Sequence, residues 1–240
     1  MESTRLRNSP PTTTVKSFRT SELLGPLSQY ERKHAPERLF VAGRASLLRN
    51  GRRVSVIGSR SADELALRRA RRLARVLAEH DITVVSGLAA GVDTAAHEAA
   101  IDAGGQTVGV LGTPLDTAYP RQNQALQDMI AARYALVSQF CLGSPTRRWN
   151  FPIRNRTMAL LSAATVIVTA GDHSGTLHQG WEALRLGRDL LLMESLAKTD
   201  RPWIRKFRHY GAQVLSDGML ERWLETLDEP MHSPDGDAPF

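Results

Sequence analysis

From Arg53 onward, short apolar runs of strand-forming residues alternate with longer segments of helical period. That alternation limits the fold more than any other feature of the chain. The runs are VSVI (54–57), TVV (83–85), TVGVL (107–111), ALVS (135–138), TVIVT (165–169) and DLLLM (189–193). Between them the pattern predicts helices near 63–79, 92–103, 122–132, 155–162 and 176–186. Runs that are apolar throughout, rather than at alternate positions, suit strands covered on both faces. Such strands separated by helices specify an α/β fold, a doubly wound, mostly parallel sheet of extended Rossmann-like type. LFVAG (39–43) reads as one further strand at an edge of that sheet. The Ser/Thr/Pro-rich start places residues 1–34 as a flexible arm, 35–226 as the Rossmann-like domain and 227–240 as a loose tail.

The 240 residues, 42% of them hydrophobic, suffice for one sizeable domain. No apolar run is long enough to cross a bilayer, and the first residues have no apolar signal segment, so a cytoplasmic location with no membrane partner is expected. The single cysteine, Cys141, excludes an intrachain disulfide framework and a Cys-based zinc site. The net charge is +6, carried by 27 Arg and only 4 Lys. Positive excess favours polyanions, and the planar guanidinium fork grips phosphate and stacks on bases. Arginine richness also follows from the base composition of a coding sequence, so charge raises the question of nucleic acid without settling it.

In a doubly wound sheet the ligand site forms over the strand C-termini, where helix N-termini direct free N–H groups. After the first strand come Gly58, Ser59 and Arg60, a turn that suits an anion or merely turns. After the second comes SGLAAGVD, in which Ser86, Gly87, Gly91 and Asp93 form either a phosphate cradle or a tight turn that binds nothing. It is neither a G-x-G-x-x-G fingerprint nor a Walker loop. His97, among alanines on the following helix, reads as a packing residue. After the third strand, GTPLDTAYPRQN (112–123) forms a shaped loop. The connection 139–156 interleaves Arg147, Arg148, Arg154 and Arg156 with Trp149, Phe151 and Asn155, the mixture a single-stranded nucleic-acid groove needs. Ser174, Gly175 and Thr176 open the next helix, another anion-suited start. Asp172-His173-Ser174 are too close in sequence to form a catalytic relay, and no cluster suggests a metal. No cofactor is expected.

Taken together, VSVIGSR (54–60), the 84–123 stretch with its SGLAAGVD and YP..N, FPIRNR (151–156), LLSAATVIVTAGDHSGTL (160–177) and ALRLGR (183–188) closely resemble the DNA-processing protein DprA (Smf) family, over roughly residues 35–220. The resemblance implies a non-enzymatic protein that binds single-stranded DNA, dimerises and loads a RecA-type recombinase. It implies that Arg60, the 86–93 turn, Arg154, Asn155, Arg156 and the 174–176 turn line a DNA-phosphate cleft. The chain departs from the family pattern at Ala90, where a basic residue is frequent, and at Gln139. Two other readings stand beside this one. One is a nucleotide-sensing module. The other is a nucleoside-monophosphate hydrolase of the related lysine-decarboxylase-like superfamily, against which Gln179 stands where the chemistry needs a glutamate.

Overall fold

The computed structural model describes residues 14–227. Its elements in chain order are β1 (Val15–Arg19), α1 (Thr20–Leu24), α2 (Gln29–His34), β2 (Arg38–Gly43), α3 (Ser46–Arg49), β3 (Arg53–Gly58), α4 (Glu64–Glu79), β4 (Thr83–Ser86), α5 (Val92–Asp102) and β5 (Thr107–Leu111). A short 3-10 turn (Arg121–Asn123) precedes α6 (Gln124–Arg133), β6 (Ala135–Ser138), α7 (Asn150–Leu160), β7 (Ala164–Thr169) and α8 (Gly175–Arg185). The chain closes with β8 (Asp189–Met193), α9 (Glu194–Ala197), α10 (Pro202–His209), β9 (Gln213–Leu215) and α11 (Asp217–Thr226). The strands form one nine-stranded sheet in the order β1-β2-β6-β5-β4-β3-β7-β8-β9. β1 and β2 run antiparallel to their neighbours and every other pairing is parallel. The doubly wound, mostly parallel α/β fold is therefore the one observed.

Both faces are covered, which is why the central strands are mostly apolar on both sides, with small polar residues such as Ser55, Ser86 and Thr165 buried among them. On one face α4, α5 and α11 pack through Ala66, Ala70, Leu73, Ala74 and Leu77 of α4 and Ala95, Ala96, Ala99 and Ala100 of α5. Alanines on both helices let their backbones approach closely, so the alanine string is a packing device. On the other face Leu48, Met158, Leu161, Leu184, Ile204 and Phe207 fill the core.

Three expectations are corrected. LFVAG is a strand but not an edge, because β1 lies outside it with Val15 opposite Ala42. Within the expected flexible arm, residues 15–34 form β1, α1 and α2. Ser28 and Glu31 make a capping box at the start of α2, and Glu31 is buried in an ion pair with Arg188. Residues 1–13 of the arm and 228–240 of the tail lie outside the described residues. Finally, α7 begins at Asn150, not near 155, so FPIRNR is helical. Pro152 falls in its first turn, where an N–H has no intrahelical acceptor and its loss costs nothing.

Candidate nucleic-acid interface

The order β4-β3-β7-β8 makes the junction of β3 and β7 the topological switch point. From β3 the chain leaves to α4 on one face, and from β7 to α8 on the other. The two exits diverge and leave a crevice over the strand ends, the place where doubly wound sheets take ligands. Gly58, Ser59 and Arg60 form one wall. Ser174, Gly175 and Thr176 form the other, and the Thr176 hydroxyl lies 3.4 Å from the Gly58 carbonyl oxygen. Ser174 caps α8 by accepting the Thr176 N–H at 3.2 Å. Asn155 reaches across from α7 and donates to the Gly175 carbonyl at 3.0 Å. No atom lies within 4 Å of where a Gly175 Cβ would stand, so the first turn of α8 opens onto free space.

The 86–93 turn is built differently from an empty cradle. Its N–H groups already have an anion: Asp93 Oδ2 accepts from Gly87 N–H at 3.2 Å and from Ala89 N–H at 3.3 Å. Ser86 is fully buried and its hydroxyl donates to the Val56 carbonyl at 2.7 Å, tying β4 to β3. Gly91 has φ +81°, and a Cβ there would lie 2.4 Å from the Ser59 carbonyl oxygen and 2.7 Å from that of Arg60. Only glycine lets this turn press against the Arg60 loop. Ser86, Gly87, Gly91 and Asp93 thus shape the crevice from behind.

Arg154 explains Gly87. The arginine is only 6% exposed, and its Nη1 donates to the carbonyls of Gly87 at 2.7 Å and Val110 at 2.8 Å. A Cβ on Gly87 would fall 1.8 Å from that nitrogen. The expected phosphate clamp is therefore an internal strut joining the ends of β4 and β5, with Asp93 as its countercharge. Burial pushes the Asp93 carboxyl up from its ordinary range, and the Arg154 charge and the two backbone donors oppose that. The reason is geometric: on helix α7 the 154 position faces the sheet. Arg156 also has an internal partner. Its Nε and Nη2 hold Glu182 at 2.7 and 3.3 Å, with the Arg156 side chain 35% exposed and the carboxylate buried. The Arg156 guanidinium beside Glu182 holds that carboxyl below its ordinary range despite burial.

Arg60 is exposed, and no ion-pair partner is found for it among the described residues. Its guanidinium lies 5.8 Å from the Phe151 ring centroid, and Tyr119 packs against the same ring at 5.2 Å. Phe151 is seated on Gly112, where a Cβ would clash with the ring at 2.6 Å. Tyr119 is 50% exposed and Trp149 57%, with the Arg147 guanidinium 4.9 Å from the Trp149 centroid. The group of Arg60, Phe151 and Tyr119 draws on two loops and the start of α7, and sequence alone did not mark the Tyr119 ring as part of it. Its cue was the Tyr-Pro pair in the loop after the third predicted strand.

His97 is fully buried, with Nδ1 against the Thr107 hydroxyl at 2.6 Å, and burial lowers its pKa to about 3. It is a neutral packing residue. Gln179 is buried inside α8. Among the described residues no group of three or more His, Cys, Asp or Glu is placed to hold a metal ion, and no helix is long and apolar enough to cross a membrane.

The family model and the curated relatives agree on one family. The model of the family described as DNA recombination-mediator protein A matches residues 21–217. The chain is 38% identical over 156 residues to DNA processing protein DprA of Streptococcus pneumoniae, covering 65% of this chain and 55% of that protein. It is 37% identical over 169 residues to protein Smf of Synechocystis, covering 70% and 42%. The chain thus spans about half the length of the curated relatives it matches. Among solved structures, the S. pneumoniae protein superposes with a TM-score of 0.74 at 29% identity, over 89% of this chain and 75% of that one. DNA processing protein A of Helicobacter pylori, described for its single-stranded DNA binding mode, gives 0.74 at 24% identity, over 90% and 96%, a likeness of fold. With a family model matched from α1 to the start of α11, the chain belongs to the DNA recombination-mediator protein A (DprA/Smf) family.

Proposed function

We propose that this chain binds single-stranded DNA in the crevice at the β3–β7 switch point, without catalysing a reaction on it. Ser59, Arg60, the outer edge of Arg156, Asn155 and the first turn of α8 at Ser174–Thr176 would contact phosphates. Tyr119, Phe151 and Trp149 would receive bases on their faces. Ser86, Gly87, Gly91, Asp93 and Arg154 hold the crevice in shape. The observation that carries the reading is Arg60, an exposed guanidinium 5.8 Å from the centre of the Phe151 ring, which packs in turn against Tyr119. A cation, an aromatic surface and the N-terminus of α8 in one crevice fit a strand with phosphates and unpaired bases. The family, and the single-stranded DNA binding described for the H. pylori relative, point the same way. Loading of a RecA-type recombinase, a homodimeric state and a cytoplasmic setting follow from the same family reading and are proposed with it. The buried amide Gln179 supplies no general base, which disfavours the hydrolase alternative.

The test is Arg60→Ala in equilibrium binding to a labelled dT oligomer across a salt series. One lost phosphate contact should lower the slope of log affinity against log salt by about 0.7 and weaken binding about tenfold at low salt. Unchanged affinity and slope would remove Arg60, and with it this crevice, from the DNA site.

A further inference from the structure

Helix α4 carries Arg68, Arg69, Arg71, Arg72 and Arg75, with Glu64 and Glu79 only at its ends. Ala66, Ala70, Leu73, Ala74, Leu77 and Ala78 turn inward, so the arginines lie along the outer side. Arg68 neighbours Arg71 and Arg72 at three and four residues, and Arg75 neighbours the same two from the other end. Like charges at those spacings repel and weaken the helix. Local partners answer little of this: Arg71 pairs with Glu64 at 3.0 Å and Arg72 with Asp217 at 2.8 Å, both at the surface. Arg68, Arg69 and Arg75 have no ion-pair partner among the described residues. Arg69 and Arg72 also border, with Lys198, Glu194 and Asp217, a groove of about 330 Å³ at the ends of β8 and β9.

The helix that carries this basic track starts beside the crevice, with Asp63 and Glu64 preceding the first arginine. Asp63 caps α4 immediately after the Gly58–Arg60 wall, so the helix leads away from the proposed site. Successive arginines on such a face stand about 5–6 Å apart, a step suited to consecutive phosphates of an extended strand. Protein-binding surfaces have apolar centres depleted of charge, whereas nucleic-acid interfaces are polar and strongly positive. The only large hydrophobic residue of α4 that is exposed is Leu65.

We propose that the outer face of α4 is a second contact track, which takes the sugar-phosphate backbone of single-stranded nucleic acid as it leaves the crevice. The proposal rests on the crevice being a nucleic-acid site. Its test is the full chain carrying R68Q, R69Q and R75Q, which keep helix propensity and spare both ion-paired arginines. Labelled dT oligomers of 6 and 20 nucleotides are titrated across a salt series. For the 20-mer, three lost contacts should lower the salt slope by about 2 and weaken binding on the order of 10–100-fold near 0.1 M salt. The 6-mer, seated in the crevice, should keep its affinity within about twofold, which also reports that the variant is folded, on the same salt-dependence argument. Wild-type affinity of the variant for the 20-mer, or equal losses for both lengths, would overturn the track. So would a larger loss for a 20-base-pair duplex, which would assign α4 to double strands, or a loss seen only with an acidic protein competitor. Failure of both oligomers to bind the wild-type chain would instead overturn the crevice reading itself.

Discussion

Replacing Arg154 by methionine distinguishes a strut from a phosphate clamp. Methionine keeps most of the side-chain length and the helix propensity of arginine, so the change removes chiefly the guanidinium. Two hydrogen bonds from a charged donor disappear, to the Gly87 and Val110 carbonyls, each worth about 1.5–3 kcal/mol. The buried Asp93 carboxyl, which is not hydrogen-bonded to Arg154, also loses the nearby positive charge that opposes the effect of burial on it. These contributions overlap, so the expected loss is about 3–5 kcal/mol in total, or a Tm lower by about 10 °C for a domain of this size. Urea unfolding followed by circular dichroism measures it. The double variant R154M/D93N should recover about 1 kcal/mol or more, because it removes the stranded charge while an amide oxygen still accepts from Gly87 and Ala89. A loss below about 1 kcal/mol for Arg154→Met, accompanied by weaker DNA binding, would refute the strut and restore the clamp.

The other consequences concern pH, backbone and stacking. His97 has a folded pKa of about 3 against 6.5 for the free side chain, so the unfolded chain binds the extra proton between those values. The stability is complete above pH 6.5 and falls as the pH drops toward 3, by about 2 kcal/mol between pH 7 and pH 5. Protonation of Asp93 acts in the opposite direction, because burial raises its pKa, so the His97 contribution is read as the difference in urea midpoints between wild type and His97→Leu. An identical pH dependence in the two proteins contradicts it. Gly91→Ala should lose about 3 kcal/mol or more, from a positive φ and from contact with the Ser59 and Arg60 carbonyls, and should weaken oligomer binding through the displaced Arg60 loop. Tyr119→Ala should weaken dT binding by about 1–3 kcal/mol with the salt slope unchanged, the mark of stacking without phosphate contact. A lower slope would mean that the ring orders an arginine instead.

The sheet was legible because its central strands are mostly apolar and do not alternate with polar residues, a pattern that follows from burial on both faces. β1 was not, since VKSFR carries two apolar residues among polar ones and gains its place only by pairing with β2. The candidate site was legible as a set of strand ends but not in its internal division of labour. In the sequence, Gly87 and Gly91 read as room for the close approach of a phosphate. What approaches them, a guanidinium and two backbone carbonyls, comes from Arg154, 67 residues from Gly87, and from the neighbouring loop. Likewise Arg154 and Arg156 read alike in FPIRNR. Helical geometry from Asn150 onward turns one into the sheet and leaves the other at the surface against Glu182, a partner 26 residues away. Long-range partners of this kind have no local sequence signal.

The proposed choice of the switch-point crevice is single-stranded DNA over a free nucleotide. It is tested most directly by fluorescence anisotropy of a labelled dT oligomer titrated with the protein at several salt concentrations, with AMP and duplex DNA as competitors. Tight binding is expected that strengthens with oligomer length, weakens steeply with salt and resists millimolar AMP. Absence of oligomer binding, or its displacement by AMP at modest concentration, would contradict the account and identify the crevice as a mononucleotide site.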